Sequence, residues 1–138
     1  MATRARATLE LATSGQAIVI QACHDGYRRL HGSNEHRRRW VLEQQSLCIE
    51  DSIRGPFTDA TAHFHLHPDI RIAALKNGAV TLSLPEGQTM RLSFEGVADL
   101  QAEVGTWHPE FGLALPNHVL RARFRGAVLV TRAHWSDR

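Results

Sequence analysis

Three histidines alternate in the run HFHLHP, at positions 63, 65 and 67. On a strand they share one face, while Ala62, Phe64 and Leu66 take the other, toward a core. Imidazoles two residues apart on a strand can chelate zinc or another borderline metal. A metal centre needs a further ligand, and none is identifiable. The glutamate that follows the HxH pair in cupin metal motifs is missing; Leu66, His67, Pro68, Asp69 and Ile70 follow instead. His63, His65 and His67 therefore read as a polar sheet face or cleft wall, with a small His-rich metal-binding protein as the alternative. No metal or other cofactor is assigned.

A second run, HDGY at 24–27, ends an apolar strand at a turn marked by Asp25-Gly26. A histidine and a tyrosine side by side, here His24 and Tyr27, can serve as base and acid in proton abstraction, although such pairs also arise in ordinary turns. The third run is EHRRRW at 35–40, which sets His36 beside Arg37, Arg38 and Arg39. Arginines bind carboxylate and sulfate by charge-assisted hydrogen bonds, but aromatic residues are not interleaved with them as a nucleic-acid surface requires. In TWHPEFG, at 106–112, Trp107, His108 and Phe111 read as a plug for one end of the fold, with a sugar-stacking patch as the alternative. No nucleophile elbow and no glycine-rich phosphate loop occurs.

The elements that must hold these residues are strands. Apolar residues alternate through short runs such as AIVIQAC, SLCIEDSI, AVTLSL, MRLSF and AVLVTRAHW, separated by Ser14-Gly15, Gly32-Ser33-Asn34, Gly55-Pro56, Asn77-Gly78, Pro85-Glu86-Gly87 and Glu95-Gly96. No stretch holds a helical period. The pattern predicts an all-β fold, an antiparallel β-sandwich of about ten to twelve short strands in a single domain over 1–138. Asn77-Gly78 is the clearest hairpin turn. One register can be set in advance. If Glu43 faces Ser46 across Gln44-Gln45, then Leu42 opposes Leu47, Trp40 opposes Ile49, Arg38 opposes Asp51 and Arg39 opposes Glu50. That places Trp40 and Leu42 in the core, pairs two arginines with carboxylates and leaves Arg37 without one.

The totals restrict the function further. The chain has 138 residues, 43% of them apolar, and a formal net charge of +2, so no strongly basic field calls for nucleic acid or an anionic membrane. No run approaches the length of a membrane span. Cys23 and Cys48 lie in apolar runs outside any CxxC motif and read as buried free thiols. The first ten residues lack the apolar stretch of a signal peptide, which leaves a cytoplasmic chain or a missing targeting segment.

Three stretches in order, HDGYRRLHGSNEHRRRWVLEQQSLCIEDSIRG, AHFHLHPDI and WHPEFGLALPNHVL, resemble the C-terminal β-sheet domain of the heparinase II/III-like family, from about Arg4 to Trp135. The resemblance implies a larger parent in which a catalytic α/α toroid joins a β-sandwich and a uronic-acid polymer such as heparan sulfate or alginate is cleaved by β-elimination. Its relatives are often periplasmic. In that family the principal catalytic side chains and the zinc ligands lie upstream of the HDGY region, so no catalytic or metal role passes to this chain. The expectation is a non-catalytic module that packs on the toroid and lines the cleft of an anionic polysaccharide, with His24, Tyr27, His36, Arg37, Arg39, His63, His65 and His67 facing the sugar. A free-standing anionic-carbohydrate-binding protein is the alternative. Neither nucleic acid nor membrane is an expected partner.

Overall fold

A computed structural model describes residues 5–136. Eleven strands form in chain order: β1 Ala7–Ser14, β2 Ala17–His24, β3 Glu35–Leu42, β4 Ser46–Arg54, β5 Ala60–His65, β6 Arg71–Lys76, β7 Ala79–Ser83, β8 Thr89–Glu95, β9 Val97–Trp107, β10 Leu115–Phe124 and β11 Val128–Trp135. They build two antiparallel sheets, one of eight strands in the order β1-β2-β3-β4-β11-β8-β7-β6 and one of three in the order β5-β10-β9. The fold is the all-β sandwich that the alternating pattern predicts. Among the described residues no helix is long and apolar enough to cross a membrane.

The hairpins follow their turn residues. Asn77 and Gly78 both adopt positive φ, 51° and 72°, and join β6 to β7. This twist suits the right-handed twist of the strands they connect. The β3–β4 register is the expected one: Leu42 faces Leu47, Trp40 faces Ile49, Arg39 faces Glu50 and Arg38 faces Asp51. Gln44 and Gln45 close it tightly, with the Glu43 amide bonded to the Ser46 carbonyl at 2.9 Å.

The core lies where the small sheet covers the large one. Val80, Leu82, Leu92, Phe94, Leu129 and Ala133 of the large sheet pack with Ala62, Leu120, Ala122 and Phe124 of the small sheet and with Leu66. Fully burying a leucine or phenylalanine side chain stabilises a fold by about 1.5–3 kcal/mol. Three strands cannot cover eight. The apolar residues of β1–β3 that share the inner face therefore stay open, and Trp40 and Leu42 depart from the expected core positions. They do point to the inner side, but Leu42 is 41% exposed and Trp40 half-buried, because the small sheet ends short of them. Cys23 and Cys48 are free thiols as expected, though half-buried rather than buried. Phe111 departs as well. It is fully exposed on the β9–β10 loop and plugs nothing.

Candidate functional site

The site begins at the pair that closes the β2–β3 hairpin, His24 opposite His36. Alternation along β3 puts His36, Arg38 and Trp40 on the inner face, and the β4 register brings Asp51 under Arg38. Asp51 is 2% exposed. Arg38 donates to both of its carboxylate oxygens, from Nε at 2.6 Å and from Nη2 at 3.0 Å. His36 Nε2 adds a third bond to Oδ1 at 2.7 Å. Burial works against ionisation of Asp51, but the bonds and charges of His36 and Arg38 outweigh it and hold the carboxyl below its usual range. The Arg38 guanidinium also lies 5.9 Å from the Trp40 ring centre and 6.0 Å from that of Phe64, which binds it to both sheets.

The chain of bonds continues outward. His36 Nδ1 meets His24 Nε2 at 3.2 Å, and the Gly26 amide donates to His24 Nδ1 at 3.3 Å. Burial, and then the charge of His36, push the His24 imidazole toward its neutral form, against a smaller opposing effect of Asp25. Tyr27 stacks at an angle against His24, with 5.2 Å between ring centres.

Residues 25–34 form a strap over this chain. Asp25 ties its start to the residue before β1, where its carboxylate accepts from the Arg6 amide at 2.6 Å. Asn34 ties its end by donating to the Pro56 carbonyl at 3.1 Å. Gly32 is required at that contact: its φ is +102°, and a Cβ there would lie 2.8 Å from the Pro56 carbonyl oxygen. Beneath the strap a cleft of about 500 Å³ runs between the sheets. His24, His36, Arg38 and Asp51 form one wall and Ala60–His63 of β5 the other, while Tyr27, His31 and Asn34 overhang it.

The residues singled out in the sequence thus fall into three places. His24, Tyr27, His36 and His63 meet in the cleft. His65 and His67 continue along the exposed face of the small sheet, where His67 lies 5.7 Å from the Trp107 ring centre and accepts the Asp69 amide. Arg37 and Arg39 stand on the opposite, outer face of the large sheet. Arg37 reaches Cys23, whose thiol burial and the Glu35 carboxylate push up; Arg39 faces Glu50 across the strands. Among the described residues no three His, Cys, Asp or Glu side chains gather as a metal site.

His31 and Asn34 were not singled out, because a strap residue has no strand period to give its direction. Arg38 and Asp51 were legible only as an ion pair. Their link to His24 needed the β2–β3 register, which nothing in the long intervening loop fixes.

The fold is shared with known proteins. Residues 1–135 match the family described as heparinase II/III-like, C-terminal. No curated protein matches the chain by sequence. Among solved structures it is similar to a heparinase III gene product, with a TM-score of 0.78 at 13% identity over 94% of this chain and 21% of that one. It is also similar to the heparan sulfate lyase HepC from Pedobacter heparinus, with a TM-score of 0.75 at 17% identity over 99% of this chain and 22% of that one. The chain therefore spans about a fifth of the length of these structures. At such identities the structural likeness shows the fold, and the sequence match shows the kinship: this chain belongs to the heparinase II/III-like family, through its C-terminal β-sandwich.

Proposed function

We propose that the chain is the non-catalytic β-sandwich module of a polysaccharide lyase, seated on a helical toroid and lining the cleft for an anionic uronic-acid polysaccharide. The observation that carries this reading is the half-covered large sheet. Beyond the reach of the small sheet, the inner face of β1–β3 presents Leu9, Leu11, Ile18 and Leu42, with Leu9 70% and Leu11 68% exposed. A contiguous apolar surface of this kind marks an interface. The chain matches about a fifth of the similar lyase structures, so the reading assigns this face to the catalytic toroid of a longer parent.

The cleft shares that inner face, since Ala22 and Arg38 continue the rows of Leu9 and Trp40. A sugar chain passing between toroid and sandwich would meet Tyr27, His31, Asn34 and His63. Imidazole and phenol groups bind carboxylate or sulfate by hydrogen bonds, strengthened when an imidazole is charged. Arg38 is already paired with Asp51 through Nε and Nη2, which offsets its charge toward a further anion. Asp59, at the rim, opposes an anion and would favour binding of neutral hydroxyls beside it.

Calorimetry with heparin and alginate oligosaccharides at low salt tests the cleft. Binding that weakens with salt, and falls about tenfold in a His31→Ala, His63→Ala variant, supports it. Association of the protein with a separately produced lyase toroid, lost in a Leu9→Ser, Leu11→Ser variant, supports the docking face. Affinity that survives both pairs of substitutions sinks the reading. The alternative, a free-standing anionic-carbohydrate-binding protein, is favoured by Arg37 and Arg39 on the outer face, away from the cleft. It predicts that Arg37→Ala, Arg39→Ala removes sugar binding while the cleft variant retains it.

A further inference from the structure

The direction of each hydrogen bond in the Asp51–His36–His24–Gly26 chain can be worked out from its ends. Asp51 is an acceptor only, so His36 Nε2 carries a hydrogen. Gly26 N–H is a donor only, so His24 Nδ1 is bare. Neutral His24 then carries its hydrogen on Nε2 and donates it to a bare His36 Nδ1. With both rings neutral, every bond is satisfied.

A single added proton cannot be accommodated without loss. On His24, it occupies Nδ1, the only bare nitrogen of that ring. On His36, it makes Nδ1 a donor, so His24 Nε2 must become the acceptor and its hydrogen moves to Nδ1. Either way a hydrogen arrives at His24 Nδ1, facing the Gly26 N–H. The hydrogen bond from the Gly26 amide to His24 is lost.

We infer that Asp51 and His36 are positioning residues: they fix the tautomer of His24 that holds the strap, and with it Tyr27, over the cleft, and one proton on the imidazole pair releases it. The charged and titratable groups around the pair are Asp25, Tyr27 and His31 of the strap, Arg38 and Asp51 of the large sheet, and Asp59 and His63 at the β5 wall. Asp25 and Asn34 keep the ends of the strap tied, so the release is confined to the segment between them. Acidification should therefore loosen the roof of the cleft and leave both sheets intact.

The inference rests on the proposed function only in treating the cleft as a sugar site. Amide exchange measured without sugar tests the latch, whereas oligosaccharide binding tests the site, and either can fail alone. Nitrogen NMR of the protein at about pH 7.5 should find His24 protonated at Nε2 alone and His36 likewise. On lowering the pH to about 5, the exchange protection of Gly26, corrected for its intrinsic rate, should fall about tenfold with the same midpoint as the His24 imidazole. An Asp51→Ala variant removes the acceptor that fixes the hydrogen on His36 Nε2; Gly26 should then exchange faster already at neutral pH, by more than core amides do. A hydrogen on His24 Nδ1 in the wild type at neutral pH would overturn the inference. So would Gly26 protection that does not follow the imidazole, or a loss shared by core amides such as Leu120.

Discussion

Two groups of histidines stand within one molecule and are treated in opposite ways. His24 and His36 face each other across a hairpin, bonded ring to ring and anchored on a buried aspartate. His63, His65 and His67 alternate along an edge strand and the residues after it, on a face open to solvent. The first pair has each nitrogen committed. In the second group, among the described residues, His67 alone has partners, Asp69 and the Trp107 ring. A committed imidazole orders its surroundings, whereas an open one can meet a ligand. Residue type therefore does not assign the role; the number of nitrogens left over does.

The difference is largest at Asp51. Removing one partner of a buried charge network leaves the other charges uncompensated. Asp51→Ala should destabilise the protein by about 3 kcal/mol, toward the lower end for such losses because Arg38 and His36 retain some contact with water. Denaturant unfolding measures this. A loss below about 1 kcal/mol would show that the pair group is no more structural than the open one.

Next comes the strap that the pair group holds. Gly32→Ala forces a side chain into positive φ and against the Pro56 carbonyl. The expected loss is about 2 kcal/mol, from strain and from the displaced contact together. Local exchange across residues 25–34 should rise more than exchange in the core. If the two rise equally, the strap is part of the global fold rather than a layer upon it.

Acid weakens the committed group in two steps. His24 is held below its ordinary 6.5, so the folded protein takes up fewer protons than the unfolded chain as the pH falls through that range. Its stabilising contribution is complete above 6.5, declines as the pH falls from there, and is gone below the depressed folded value. Asp51 acts lower. Its contribution is complete above its ordinary 3.8 and disappears as the pH falls through the depressed folded value. Denaturant midpoints between about pH 7.5 and about pH 5 should therefore fall in the wild type and stay nearly level in His24→Gln. A wild-type curve as flat as the variant would remove the distinction.

The sequence disclosed these groups unequally, for physical reasons. Alternation gave the strands, and a turn at Gln44-Gln45 gave the β3–β4 register, down to Arg38 opposite Asp51. The inward direction of Trp40 was legible too. Its burial was not, because alternation gives the face of a strand and not the extent of the sheet laid upon it. Only the topology reveals that three strands lie over eight. His24 and His36 carried the same limit. Each was noticed in its own motif, but the ten loop residues 25–34 separate their strands, and a loop of that kind does not specify register as a tight turn does. Arg37 and Arg39 show the converse: a run of three arginines looks like one basic patch, yet a strand splits it between two faces.

The smallest expected effect falls on the open group, and its smallness is the point. His63 and His65 are exposed and have no side-chain bond to the fold among those described, so His63→Ala, His65→Ala should shift stability by less than about 0.5 kcal/mol. The same variant should weaken binding of an anionic oligosaccharide, because His63 borders the cleft and His65 extends its wall along β5. Unfolding and calorimetry on one preparation decide the matter. A stability loss as large as that of Gly32→Ala would make these imidazoles structural after all. Unchanged stability together with unchanged affinity would confine any sugar to the strap side of the cleft, under Tyr27 and His31. Lost affinity with an intact fold would place the ligand where the imidazoles are uncommitted, which is what the contrast between the two groups requires.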